Sequence, residues 1–237
     1  MSTAANDAEQ TAPDPLKQIA AEGAATELRD GMIVGLGSGS TAKLAVNAIA
    51  KRVKDGLKIV GIPTSERTSD QARKLGIELS TLGEHPSIDV TIDGADEVER
   101  GTLNLIKGGG GNQLREKIVA AATRRLVIVV DESKLVDHLG EHAKVPVEVA
   151  QFGWQATALA LARLHCTPIL RTASDGKPFI TDGGNYILDC AFGRIASPES
   201  LQHELDSVVG VLEHGLFIGM ASLIVVGTRQ GVKLLAR

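Results

Sequence analysis

Between residues 32 and 79 the chain alternates short apolar runs with helix-periodic segments, and the joins are rich in glycine, serine, threonine and aspartate. Residues 32–36 read as a buried strand and residues 42–53 as a helix with Leu44, Ala45, Ala48 and Ile49 on one face. Residues 58–62 read as a second strand, the segment opened by Thr64, Ser65 and Glu66 as a helix to Leu75, and residues 77–79 as a third, shorter strand. A helix between two strands carries the chain back across the sheet, so this order predicts a mostly parallel, three-layer α/β sheet flanked by helices. An earlier helix is predicted over residues 16–28, with Leu16, Ile19, Ala20 and Ala24 as its stripe and Lys17 beside it.

In open sheets of this kind ligands bind at the carboxyl ends of the strands, so the joins are where chemistry is expected. The first join, Gly37-Ser38-Gly39-Ser40-Thr41, offers backbone N–H groups, hydroxyls and a helix N-terminus, a combination suited to phosphate. Its Gly35-x-Gly37 start is that of a dinucleotide loop. The third glycine position is Ser40, however, and no acidic residue closes the next strand, which counts against a dinucleotide; hydroxyls clustered with glycines favour a phosphate monoester over a pyrophosphate, the alternative being a tight turn with no ligand.

Residues 88–122 hold the densest group of polar side chains. Val90, Thr91 and Ile92 form a short buried strand that stops at Asp93, and the Gly94-Ala95 turn keeps Asp93 and Asp96 together just past its end. A second short strand, residues 103–106, runs into Lys107 and the glycines at residues 108–111, whose N–H groups can meet an anion with no Cβ in the way. Asn112 is expected to N-cap the next helix, with Leu114, Ile118, Ala121 and Ala122 as its apolar stripe and Glu116 off that stripe, facing water or a cleft. Singly, such aspartates are common turn formers and such a glutamate commonly complements the helix dipole. Gathered on two successive strand ends, they point to a catalytic cleft. A further strand, residues 126–130, ends in Asp131, and Lys134 follows at the same predicted edge.

The pattern changes at Val145. Strand (145–149), helix (154–164), strand (169–171), a hairpin pivoting near Asp182-Gly183-Gly184-Asn185, helix (198–208, N-capped by Ser197) and strand (211–213) follow in turn. This order predicts an inserted, smaller α+β subdomain of ferredoxin-like type. Residues 221–226 then resume a buried strand and residues 231–236 are read as a last short helix. The expected division is a disordered tail at 1–15, an α/β catalytic domain at 16–144 plus 215–237, and the small subdomain at 145–214.

The 237 residues, 43% hydrophobic and 23% charged, fit a soluble globular protein of one large or two unequal domains. A net charge of −4, no basic block longer than a pair and one tryptophan give no basis for nucleic-acid binding. No apolar run approaches the ~18 residues that span a bilayer. The first residues lack the basic start and apolar core of a signal peptide. Cys166 and Cys190 are too few and too far apart for a disulfide framework and are expected as buried thiols in a reducing cytoplasm. His138 and His142 have i,i+4 spacing, but Gly140 lies between them and no third ligand is evident, so no metal site is expected.

The segments GLGSGSTA, DGADEVE, LIKGGGGNQLREKIV, DESK, PVEV and TDGGNYILD, in that order and spacing, resemble the ribose-5-phosphate isomerase type A family from about Leu16 onward. The resemblance implies a Rossmann-like sheet with the inserted subdomain. It also implies a cytoplasmic aldose–ketose isomerase of the non-oxidative pentose phosphate pathway, interconverting D-ribose 5-phosphate and D-ribulose 5-phosphate through an enediolate. No cofactor or metal is implied, the expected partner is the small sugar phosphate, and the expected assembly is a homodimer or homotetramer. Carried over by motif, the family's base falls on Glu116, its aspartates on Asp93 and Asp96, and its enediolate-facing lysine on Lys107. Phosphate contacts fall on Ser38, Gly39, Ser40 and Thr41, with Lys134 and Lys17, and further substrate contacts on Gly94, Ala95, Gly108, Gly109 and Gly110. Ser38 stands where threonine is usual, and Gly111 and Asn112 where small apolar residues are common; neither departure removes a functional group.

The residues alone agree, since one glutamate, one lysine and two aspartates supply a proton carrier, a cation for an oxyanion, and acid–base help in ring opening. Two other readings are a sugar-phosphate sensor and a CoA transferase-like enzyme with a glutamate nucleophile. The sensors of this fold carry a helix-turn-helix ahead of the domain, for which the polar residues before Leu16 are expected to leave no room.

Overall fold

The computed structural model describes residues 14–236. In chain order it contains α1 (Pro15–Ala25), β1 (Ile33–Leu36), α2 (Ser40–Lys54), β2 (Val60–Pro63), α3 (Glu66–Leu75), β3 (Ile88–Gly94), β4 (Glu97–Glu99) and β5 (Leu105–Ile106). Next come α4 (Gln113–Ala121), β6 (Thr123–Asp131), a 3-10 turn (Glu132–Lys134), β7 (Leu135–Val136), β8 (Val145–Val149), α5 (Trp154–Ala162), β9 (Thr167–Leu170) and β10 (Tyr186–Ala191). The chain closes with α6 (Pro198–Asp206), β11 (Val211–His214), β12 (Leu216–Phe217), β13 (Ala221–Thr228) and β14 (Gly231–Ala236).

The main sheet has the order β14-β13-β6-β3-β1-β2 and is parallel except for the β13–β14 pair. Its central strands are apolar on both faces, as a parallel sheet covered on both sides requires. One face packs on α1 and α2, where Ala20, Ala21, Ala24, Ala45 and Ile49 are buried against Val34, Ile92, Val127 and Val225. On the other face, Ile128, Val130, Ile224 and Val226 share a core with Val98, Leu105 and Phe217 of a small sheet, β12-β5-β4-β7. Strands of two or three residues carry no periodic signal, so of this sheet only β5, within the strand expected at residues 103–106, was legible in the sequence. The α+β unit predicted beyond Val145 is a separate antiparallel sheet, β11-β8-β10-β9, cored by Val145, Val147, Leu188 and Leu205.

Several expectations need correction. The tail lies outside the described residues up to 13, but Asp14 and Pro15 belong to α1: Asp14 Oδ1 accepts the Leu16 N–H and Pro15 opens the helix. Residues 77–79 form only an isolated bridge at Leu79. Residues 231–236 are strand β14 rather than a helix, because pairing there covers the edge of β13 that would otherwise lack hydrogen-bond partners. His138 and His142 lie in an irregular segment rather than on a helix. Buried Glu97 organises that segment, accepting the N–H groups of Gly140 (2.6 Å), His142 (2.5 Å) and Ala143 (2.7 Å). The two cysteines are distant only in sequence: Cys190 pairs with Pro168 across the strands and is buried as expected, whereas Cys166 packs on the same apolar cluster but is only half-buried, its thiol donating to the Leu161 carbonyl. Among the described residues no helix is long and apolar enough to cross a membrane.

Candidate active site

Strand β1 delivers the chain into the loop at residues 37–41, and α2 begins within it at Ser40. Gly39 is the N-cap with φ 99°, a conformation suited to glycine, and no side chain caps the first turn, so its N–H groups stay open to a ligand. Gly37 lies so near β3 that a Cβ would stand 2.2 Å from Asp93 Oδ1. The Ser38 N–H donates to Asp93 Oδ1 at 3.0 Å, while the Ser38 hydroxyl turns inward to Thr64 (2.7 Å) and Ser65 (2.9 Å). Lys17 Nζ reaches Ser40 Oγ at 3.4 Å, bringing the first helix to this corner. Lys134, in the 3-10 turn after β6, has no ion pair with any described residue. Of the residues singled out from the sequence, all but Asp93 and Lys17 line one cleft: Ser38, Gly39, Ser40, Thr41, Gly94, Ala95, Asp96, Lys107, Gly108, Gly109, Gly110, Glu116 and Lys134.

A buried charge cluster contributes Lys107 and Glu116 to the cleft lining. Lys107, 2% exposed, donates to the Gly94 carbonyl at 2.6 Å and lies 3.0 Å from both Asp93 Oδ2 and Glu116 Oε2. Those two oxygens pair with the ammonium by charge but lack a well-aligned hydrogen bond. Strand β3 runs through Asp93 to Gly94, so Asp93 is the last residue but one of the strand instead of following it. Its Oδ1 takes the N–H groups of Ser38 and Gly94, which fixes it behind the cleft against Lys107. Asp96 faces the cleft, and its Oδ2 accepts the Gly109 N–H at 2.7 Å. Burial and then the charge of Asp93 push the Glu116 carboxyl up from 4.5 to about 8, against the opposing pull of Lys107. Burial works against the Lys107 charge too, but Asp93 and Glu116 outweigh it and raise its pKa, so it stays an ammonium. The Phe217 ring lies under it, 5.2 Å from Nζ.

Helix α4 presents a different face from the one its sequence suggests. Gln113, Glu116, Val119 and Ala120 are buried, while Ile118 is 49% exposed and lines a separate cleft with Ile62, Leu79 and Leu82. The polar side turns inward because Lys107 is there to compensate Glu116. Asn112 does sit at the N-cap, but its amide donates to the Gly110 carbonyl at 3.4 Å and not to the helix. Gln113 is fully buried with neither amide atom partnered, a state that costs about 1–3 kcal/mol. Gln113→Leu, of similar volume, is expected to raise the unfolding free energy by about that amount. An unchanged urea midpoint would show the amide to be solvated.

Beside the cleft, Lys117 was not foreseen, since a lysine next to Glu116 carries no signal of its own. Its Nζ pairs with Glu213 at 2.5 Å and lies 5.0 Å from the other partner of the cluster, the Phe217 ring. Burial lowers the Lys117 pKa, and burial and then Lys117 bring His214 down to about 4. His214 Nδ1 accepts the Leu216 N–H, so its proton is on Nε2, which donates to Asp206 at 3.1 Å. Asp206, Glu213 and His214 are the one three-ligand group among the described residues, and the Glu213 carboxylate in it is already paired with Lys117.

The sequence model of ribose 5-phosphate isomerase A (phosphoriboisomerase A) matches residues 60–231. The chain is 58% identical over 222 residues to ribose-5-phosphate isomerase A of Gloeobacter violaceus, covering 94% of this chain and 96% of that protein. The Synechococcus protein of the same name is 53% identical over 223 residues, covering 94% and 97%. Among solved structures, ribose 5-phosphate isomerase A of Methanocaldococcus jannaschii superposes with a TM-score of 0.90 at 40% identity, covering 94% of this chain and 98% of that one. A D-ribose-5-phosphate isomerase in complex with phospho-erythronic acid gives 0.92 at 39% identity, covering 96% and 100%. By sequence and by fold alike, the chain belongs to the ribose 5-phosphate isomerase A family.

Proposed function

We propose that this cleft interconverts D-ribose 5-phosphate and D-ribulose 5-phosphate, with Glu116 as the proton carrier. The observation that carries this reading is one buried glutamate in contact with one buried ammonium, lining the same cleft as an uncapped helix N-terminus and Lys134, with Lys17 nearby. The substrate phosphate is held at that N-terminus by open N–H groups, the Ser40 and Thr41 hydroxyls and Lys134. Asp96 gives acid–base help in opening the sugar ring. Glu116 then takes the C2 proton, and the electrons move onto the C1 carbonyl oxygen to give the enediolate. Lys107 stabilises that oxygen, having been held in place by Asp93. The O2 proton passes to O1 and Glu116 returns its proton to C1, which leaves the ketose. The ligand of the structural relative supports this reading, since phospho-erythronic acid joins a phosphate to a planar anionic carboxylate of enediolate-like shape.

The test is ketose formation from ribose 5-phosphate, with and without EDTA. Activity is expected in both, because the position a divalent ion would need between Asp93 and Glu116 is filled by the Lys107 ammonium. A sensor would bind the sugar phosphate and form no ketose. Lys134→Ala is expected to raise KM by about tenfold at nearly unchanged kcat, the loss of one charge-assisted contact worth about 1.5 kcal/mol. An unchanged KM would remove Lys134 from the phosphate corner.

The same reading divides the chain by sheet membership, with residues 145–214 as the subdomain and residues 16–144 and 215–237 as the catalytic part. It takes the protein to be a cytoplasmic homodimer or homotetramer, supported by the exposure of Phe152 (97%), Leu159 (69%) and Val209 (92%) on and around α5. Sedimentation would report the mass.

A further inference from the structure

The glycine turn after Lys107 is gripped from outside the cleft by a residue of the small antiparallel sheet. Arg171, immediately after β9, donates from one terminal nitrogen to the carbonyls of Gly108 and Gly109, each at 3.1 Å. Its Nε and other terminal nitrogen form a fork on Asp189 of β10, at 2.9 Å and 2.5 Å. Four of its five N–H groups are therefore engaged, and the planar guanidinium has one orientation available. Its backbone is equally fixed: the Arg171 N–H donates to Ile187 at 2.9 Å and its carbonyl accepts the Phe179 N–H at 2.8 Å. The Phe179 ring packs 5.9 Å from the guanidinium and lies against Gly111, where a Cβ would stand 2.5 Å from the ring.

This grip has a directional consequence inside the cleft. Across a trans peptide the carbonyl and the following N–H point opposite ways. With the Gly108 and Gly109 carbonyls turned to Arg171, the N–H groups of Gly109 and Gly110 both turn to the side where Asp96 lies. The Gly109 N–H meets Asp96 Oδ2 at 2.7 Å, in keeping with that geometry. The Gly108 carbonyl is also tied within the turn, by the Gly111 N–H at 2.9 Å, but glycines have no preference that would hold the Gly109–Gly110 plane, and there the order comes from Arg171. The positive charge on the carbonyls also polarises the two peptides, making their N–H groups stronger donors.

We propose that Arg171, oriented by Asp189, is a positioning residue for the isomerisation: it sets the two peptide planes that hold Asp96 and present the Gly110 N–H to the substrate. The proposal rests on the reading of this cleft as the isomerase site, and it gives the small sheet a part in the chemistry although none of its residues lines the cleft.

The test uses the full chain. Arg171→Ala is expected to lower kcat for ribose 5-phosphate by about 10–10²-fold, as misplacement of a reacting group does, with KM and competition by inorganic phosphate little changed. Arg171→Lys keeps the charge and loses the fork, so it is expected to stay close to the alanine variant. Millimolar guanidinium is expected to restore part of the kcat of Arg171→Ala. Asp189→Asn, which keeps the volume and weakens the fork, is expected to lower kcat several-fold at unchanged KM, and it decides the matter should Arg171→Ala fail to fold. Wild-type kcat in folded Arg171→Ala or in Asp189→Asn overturns the proposal, as does a loss that only tracks the folded fraction and is not rescued. Ketose formation by the unaltered protein, run alongside, separates the two ideas: its absence removes the isomerase reading itself, whereas activity that is indifferent to Arg171 removes only the positioning role.

Discussion

Glu116→Gln is expected to lower isomerisation by about 10²–10⁴-fold while leaving a folded protein that still binds sugar phosphate. Glutamine keeps the shape and removes the basicity, so exchange of the C2 proton with D₂O should vanish along with turnover. The base must be ionised to act, and burial and then Asp93 hold its carboxyl up towards about 8 from an ordinary 4.5. The kcat/KM of the unaltered protein should therefore rise with pH through the neutral range, and fall tenfold per pH unit below the pKa. An acid limb near 4.5 would belong to a carboxylate in contact with water. Stability supplies an independent check through linkage. A folded pKa above the unfolded one means the folded protein holds the extra proton, so this group's contribution is present below 4.5 and is lost as pH rises to about 8. Glutamine mimics the protonated form, and the variant should gain on the unaltered protein across that window in urea unfolding. Near-normal turnover would move the base to Asp96, the other carboxylate that lines the cleft.

The parts of this site that could be read from the sequence are those fixed by local chemistry. The loop at residues 37–41 and the Asp93–Asp96 turn stand at the ends of β1 and β3, which parallel pairing brings together, while Lys107 follows β5 of the small sheet and Glu116 lies early in α4, both brought to Asp93 by tertiary packing. Periodicity failed where tertiary charge overruled it. On α4 the apolar residues Leu114 and Ile118 suggested the inner face, yet Glu116 and Gln113 are the buried ones, because no one-dimensional pattern records that an ammonium from another strand end awaits them. The segment after Gly231 failed for a related reason. Its apolar spacing suits a helix, and only the unpaired edge of β13 makes it a strand. Arg171 was invisible because its partners, the Gly108 and Gly109 carbonyls, lie more than sixty residues away and are backbone atoms, which carry no residue-type signal.

Lys107→Met is expected to damage both fold and rate, and so to separate the cluster's structural role from its catalytic one. With the ammonium gone, the buried carboxylates of Asp93 and Glu116 face each other without compensation. Breaking a buried pair in this way costs about 3–5 kcal/mol. That penalty should depend on pH. Lys107 is the one strong influence holding the Glu116 pKa down, so without it burial and Asp93 act unopposed and the pKa climbs further. Below 4.5 Glu116 is protonated in both folded and unfolded chains, and its share of the loss disappears; as pH rises past that value the unfolded chain ionises first and the folded one falls behind. Urea midpoints measured across this range should therefore converge towards those of the unaltered protein at low pH and diverge from them at neutral pH. The rate suffers twice, through the missing cation beside the enediolate, a loss of about 10²–10³-fold, and through a base that stays protonated at neutral pH. Raising the pH can recover the second loss and not the first. A variant that recovered fully at high pH would show that Lys107 serves only to tune Glu116, and one that kept the original acid limb would show that the two groups are not coupled at all. The outcome expected from a 3.0 Å contact to each carboxylate, with the third N–H fixed on Gly94, lies between these: the limb moves up and the ceiling stays low.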